Sequence, residues 1–209
     1  VFLLIVGWFF ANQLFLQNTA SLRTLFNLAP MVLMFFIPAI TMGTFAEERR
    51  SGTIELLLSL PVRDWQVIAG KILAPVLLTV TALLFTLIHA YTIAELGDLD
   101  FGATVGGYLG LGLFALTCIT LGLFGSSLTR NQIVAFIISF TLIFVLYMLD
   151  KVTLFVPGWM AGVLEYLSLD YHYQNMLRGV IDSRDILYYL SVTGFFSLLT
   201  AHNLAQRPE

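Results

Sequence analysis

The residues able to make or break bonds are few in this chain, and they are scattered. Ser126 and Ser127 form a serine pair, but a hydroxyl nucleophile needs a base within reach, and the pair has no evident partner. His89, His172 and His202 have no second His, Cys or carboxylate at ligand spacing, so a metal centre has no sequence support. His89 falls inside an apolar run, where an ionisable residue is a functional candidate by default. Its closeness to Tyr91 favours an interfacial, hydrogen-bonded histidine instead. The lone Cys118 excludes an intrachain disulfide and reads as a small packing residue, because desolvation disfavours its thiolate. The Gly70-Lys71 pair is no phosphate-binding loop: Ile72 follows the lysine, and Trp65 stands where the first glycine belongs.

One stretch concentrates polar chemistry. "FAEERRSGTIELLLSLPVRDWQVIAGK", Phe45 to Lys71, carries eight charged residues. Glu47 to Arg50 are four consecutive charges, each costing about 2.5 to 3.5 kcal/mol at the middle of a membrane helix, so the chain is expected to leave the bilayer there. The segment that follows has a cap candidate in Ser51 or Thr53, a helical apolar face in Ile54, Leu57, Leu58 and Leu60, and a stop at Pro61. This predicts a short amphipathic helix at the membrane surface, over about residues 47–64. Its apolar face suits either the membrane or the groove of a cytosolic partner, and sequence physics alone does not choose.

The elements around this stretch are greasy. Hydrophobic residues make up 58% of the chain and charged residues 11%, which is the mix of an integral membrane protein. With roughly 20 apolar residues per span, 209 residues hold about six. The expected architecture is all-α, a single polytopic domain over 1–209, with spans at about 1–16, 25–46, 72–91, 105–128, 133–149 and 186–204. Pro30 and Pro38 lie in the second span, tolerable where neighbours satisfy the freed carbonyls, and a kink is expected near Pro38. Lys71 is placed to snorkel toward headgroups. Gly106 and Gly110 form a small-xxx-small pattern whose close approach is expected within the subunit. Residues 151–185 are too polar to span. They read as a hairpin of two short amphipathic helices in the interface, with Trp159, Tyr166, Tyr171 and Tyr173 as belt aromatics and Ser183 or Asp185 capping the last span. The sparse polar points of the spans, and the expected walls of any cavity, are Asn12, Gln13, Thr79, Thr81, Thr86, Thr117 and Thr120.

Basic residues divide into Arg49, Arg50, Arg63, Lys71, Arg130 and Arg207 on one side and Arg23, Lys151, Arg178 and Arg184 on the other. The positive-inside rule makes the first set cytoplasmic. The net charge of -3 is scattered, so no nucleic-acid surface is indicated. The chain opens at Val1 inside an apolar run, and upstream residues are expected.

The Phe45 to Lys71 run strongly resembles the segment between the second and third spans of ABC transporter permeases of the second export type, the ABC-2 superfamily. "LAPMVLMFFIPAITMGTFAEERRSGTIELLL", "SSLTRNQIVAFIISF" and "RGVIDSRDILYYLSVTGFFSLLT" are most similar to the gliding-motility-associated GldF branch. The family's elbow helix before the first span is absent from this sequence. The resemblance implies that Phe45 to Lys71 holds the coupling helix, through which a cytosolic ABC ATPase moves the membrane helices. Glu47, Glu48, Arg49, Arg50, Gly52, Thr53, Glu55, Leu57, Arg63 and Asp64 would form that interface, with Leu56 to Leu60 entering the partner's groove. ATP and magnesium would bind in the partner, and this chain would hold no cofactor and no catalytic residue. It further implies a bacterial inner-membrane location and a dimer, with a second permease copy or a paralogous GldG-type subunit. The extracytoplasmic domain of such a subunit would contact Arg178, Asp182, Arg184 and Asp185. The implied function is ATP-driven export. The alternative is a mechanical or signalling envelope complex in which nothing crosses the bilayer.

Overall fold

The computed structural model describes residues 1–16, 21–54, 64–97 and 99–205. Within them the chain forms nine α-helices: α1 (Phe2–Leu16), α2 (Arg23–Thr41), α3 (Gly43–Ser51), α4 (Asp64–Leu96), α5 (Phe101–Ser127), α6 (Gln132–Val152), α7 (Gly158–Leu167), α8 (Leu169–Leu177) and α9 (Ser183–Ala205). A 3₁₀ turn, Thr153–Phe155, joins α6 to α7. Polar side chains start the later helices. Asp100 accepts from the Ala103 N–H at α5, Asn131 from Ile133 at α6, and Asp182 from Arg184 at α9. The cap of α9 is therefore Asp182, not Ser183 or Asp185.

Among the described residues, four segments are long and apolar enough to cross a membrane: Arg23–Ser51, Trp65–Leu96, Phe101–Ser127 and Gln132–Val152. The other two expected spans also correspond to helices. Fifteen-residue α1 is apolar but short, and 23-residue α9 is long but diluted by Tyr188, Tyr189, His202 and Asn203. The third span is longer than expected, since α4 already starts at Asp64 and runs for 33 residues.

Helix α5 is the axis of the bundle. α2, α4, α6, α8 and α9 all pack on it, and Leu111, Phe114, Cys118, Ile119 and Leu121 are buried without exposure. Without a hydrophobic force between helices in lipid, such packing depends on close approach. A Cβ at Gly106 would lie 2.1 Å from the Met176 carbonyl oxygen of α8, and one at Gly110 would touch the Tyr173 ring. The glycine stripe thus receives a helix of its own chain.

That helix corrects the interfacial reading of residues 169–177. Leu169, Asp170, His172, Tyr173 and Met176 of α8 are buried, so α8 is set into the bundle; α7, with no buried residue, lies outside it. Tyr173 is not a belt aromatic. Its hydroxyl donates to the Phe26 carbonyl at 2.8 Å, the acceptor left without its i+4 partner because residue 30 is proline. Burial pushes the Tyr173 phenol well above its ordinary pKa, so it remains a donor. Tyr188 and Tyr189 of α9 donate to the Leu167 and Leu169 carbonyls, tying the hairpin down a second time.

Candidate functional site: the charged end of the bundle

The basic residues separate spatially as well as in sequence. At one end, Arg49 reaches the Asn203 carbonyl near the end of α9 and feels the charge of Arg130, and Lys71 meets Glu48 of α3. At the other, Lys151 pairs with Asp170 at 2.6 Å, and Arg23 and Arg178 line one cleft. The first end carries the residues singled out from the sequence.

It is built on a junction. α2 gives way to α3 at Met42, whose N–H bonds the Pro38 carbonyl at 2.8 Å. The hydroxyl of Ser126, from the end of α5, sits in this junction: it donates to the Met42 carbonyl at 2.8 Å and accepts from the Phe45 and Ala46 N–H groups at 3.0 and 3.1 Å. One buried side chain of another helix thus serves amides of the first turn of α3, which otherwise lack partners. The approach is close because residue 122 is glycine; a Cβ there would lie 2.1 Å from Thr41 Oγ1. Ser126 is fully engaged by backbone.

From this anchor α3 carries the charges outward. Glu48 Oε1 meets Lys71 Nζ at 2.6 Å, with side-chain exposures of 29% and 17%. The same ammonium donates to the Thr44 carbonyl at 2.7 Å and lies 4.6 Å from the centre of the Phe45 ring. Lys71 is therefore a clamp between α4 and α3, not a side chain reaching for headgroups. Arg49 donates to the Asn203 carbonyl of α9 at 3.3 Å, and Asn203 in turn donates to the Ser127 carbonyl and hydroxyl at 2.8 and 3.0 Å. Four helices, α3, α4, α5 and α9, are thereby joined by polar contacts at one end: Glu48–Lys71, Ser126 with the α2–α3 junction, and Arg49–Asn203. Two buried polar atoms there have no partner among the described residues, Glu48 Oε2 and Arg49 Nε.

The remaining interface candidates distribute unevenly. Glu47 and Arg50 are exposed, as are Gly52 and Thr53. An open cleft of about 630 Å³ runs between α3 and α4, lined by Gly43, Thr44, Glu47, Glu48, Thr53 and Lys71. Gly52 takes φ +74, a left-handed conformation that glycine adopts freely. It ends α3, so no single helix covers 47–64, and Glu47 to Arg50 belong to the continuation of the second span. Ser51 does not open a helix either; its hydroxyl donates to the Glu47 carbonyl at 2.9 Å, near the C-terminus of α3, and pairs with Thr53 Oγ1 at 2.8 Å. Asp64 opens α4. Glu55, Leu57 and Arg63, with the rest of 55–63, lie outside the described residues.

At the opposite end, Arg178, Asp182 and Arg184 are exposed, but Asp185 is buried. Its Oδ1 lies 2.6 Å from His172 Nδ1, while His172 Nε2–H donates to the Tyr166 carbonyl at 2.9 Å and the ring stacks on Tyr188. Asp185 is an internal strut and offers nothing to a partner's surface. Among the expected cavity points, Thr117 bonds the Tyr189 carbonyl and Thr193, Thr120 bonds the Thr117 carbonyl, and Thr86 meets Tyr108. These hydroxyls are consumed within the bundle. His89 is half-buried, with Nδ1 3.1 Å from the Thr86 carbonyl and its ring edge against Phe10.

Comparison with known proteins gives this architecture its class. The profile of the family described as ABC-2 family transporter protein matches residues 9–201. The chain belongs to that family and is a multi-pass membrane protein. No curated protein sequence matches it.

Proposed function

We propose that this chain is the permease subunit of an ATP-binding cassette exporter and that its charged end receives a separate cytosolic ATPase. One observation carries the reading: in a chain matched to the family over residues 9–201, exposed Glu47, Arg50 and Thr53 stand where α3, α4, α5 and α9 are joined. A partner bearing on this end meets a tied assembly, so its movement reaches several helices. Lys71–Glu48 and Ser126–Met42 are the links that transmit it. Closure of paired ATPases would then tilt the bundle between two arrangements. ATP and magnesium belong to the partner.

Several finer statements complete the proposal. α1 and α9 cross the membrane with the four apolar segments, making six spans. Arg49, Arg50, Lys71 and Arg130 mark the cytoplasmic end, and the membrane is a bacterial inner membrane. The chain works as half of a dimer, with a second copy or a GldG-type subunit, and three sequence blocks favour the GldF branch. Asp182 and Arg184, exposed at the other end, are the contacts for an extracytoplasmic domain.

The test is reconstitution of the full-length permease with its ATPase in sealed vesicles. ATP hydrolysis stimulated by the permease, together with ATP-dependent solute movement, is the expected result. Stimulated hydrolysis without movement of any solute would transfer the chain to the mechanical class; no stimulation would remove the coupling role.

A further inference from the structure

The end opposite the charged junction holds a second cleft, of about 160 Å³, between the start of α2, the α4–α5 turn and the end of α8. Arg23 and Arg178 both line it, beside the partly exposed Leu99 and Leu177, with the buried Phe26 and Ile93 behind them. Neither arginine forms a salt bridge with a described residue, whereas Lys71 and Lys151 both do. Asp100 also lines the cleft, and its Oδ1 is taken by the Ala103 N–H. Two guanidiniums against one carboxylate leave the described lining net positive.

We propose that this cleft binds the phosphate group of a membrane phospholipid. The location fits, because ends of membrane-crossing helices lie at the level of the headgroups. The chemistry fits as well: guanidinium forks match phosphate oxygens, and arginines without a salt bridge to a described residue can hold the anion while the glycerol and upper acyl chain rest on the partly exposed Leu99 and Leu177. The site stands apart from the charged junction and needs no transported substrate.

Native mass spectrometry of the full-length protein in detergent tests it, with dioleoylphosphatidylglycerol, dioleoylglycerol and inorganic phosphate as probes. The wild type should retain one phosphatidylglycerol and not dioleoylglycerol. The R23Q/R178Q double variant should bind the phospholipid about tenfold or more weakly, and R130Q, at an exposed arginine outside the cleft, should match wild type. Equal retention of phospholipid and dioleoylglycerol by the wild type would overturn the proposal without any substitution. So would unchanged binding in the double variant, or retention of inorganic phosphate with no phospholipid.

Discussion

The Tyr173 hydroxyl donates to the Phe26 carbonyl at 2.8 Å across the bundle, at the one position of α2 where Pro30 withholds the usual helical donor. A side chain 147 residues away thus completes a helix that its own sequence leaves incomplete. Replacing Tyr173 with Phe should lower the stability of the protein in lipid discs by about 1 to 2 kcal/mol. Pro30→Ala restores a backbone donor, so in that background the same replacement should cost clearly less. A double-mutant cycle by thermal unfolding measures the difference; equal costs in both backgrounds would show that the hydroxyl does not serve the proline gap.

Ser126 fills the corresponding role at the α2–α3 junction. Ser126→Ala leaves the Met42 carbonyl and the Phe45 and Ala46 amides without that hydroxyl, and a loss of about 1 to 3 kcal/mol is expected. Hydrogen exchange should show it first at the Phe45 and Ala46 amides. Protection equal to wild type there would contradict the assignment.

The proline-containing second span and the charged stretch are readable from composition and spacing, because apolar length and charge cost are local properties. The partners were not. Glu48 meets Lys71 across 23 residues, and nothing in the local pattern separates an acid clamped by its own chain from one offered to a partner. The α8 segment misled for a related reason: an amphipathic face predicts burial but not whether membrane interface or protein covers it. The covering element, α5, is recognisable only once Gly106 is seen to admit the Met176 carbonyl. Asp185 reads as a surface charge beside Asp182 and Arg184, and only the fold brings His172 against it.

The glycine contact gives a graded test. Gly106→Ala places a methyl 2.1 Å from a backbone oxygen that cannot swing away, while Gly112→Ala meets nothing within 4 Å. Folded yield in detergent should fall severely for the first and stay near wild type for the second. Similar yields would mean that α8 does not pack on this face.

His172→Ala strips the partner from a buried carboxylate, Asp185, and should cost about 3 kcal/mol or more in thermal stability. His172→Ala with Asp185→Ala should recover part of that loss. If the double variant is no more stable than the single one, the pair is not what holds α8 to α9.

Binding of the ATPase to the full-length permease in lipid discs, compared between the two ends of the bundle, tests the central claim most directly. Glu47→Lys with Arg50→Glu reverses exposed charges at the joined end, and Asp182→Lys with Arg184→Glu does the same at the other. The account predicts that the first pair weakens binding at least tenfold while the second leaves it unchanged. Full binding by the first pair, or loss by the second, would contradict it.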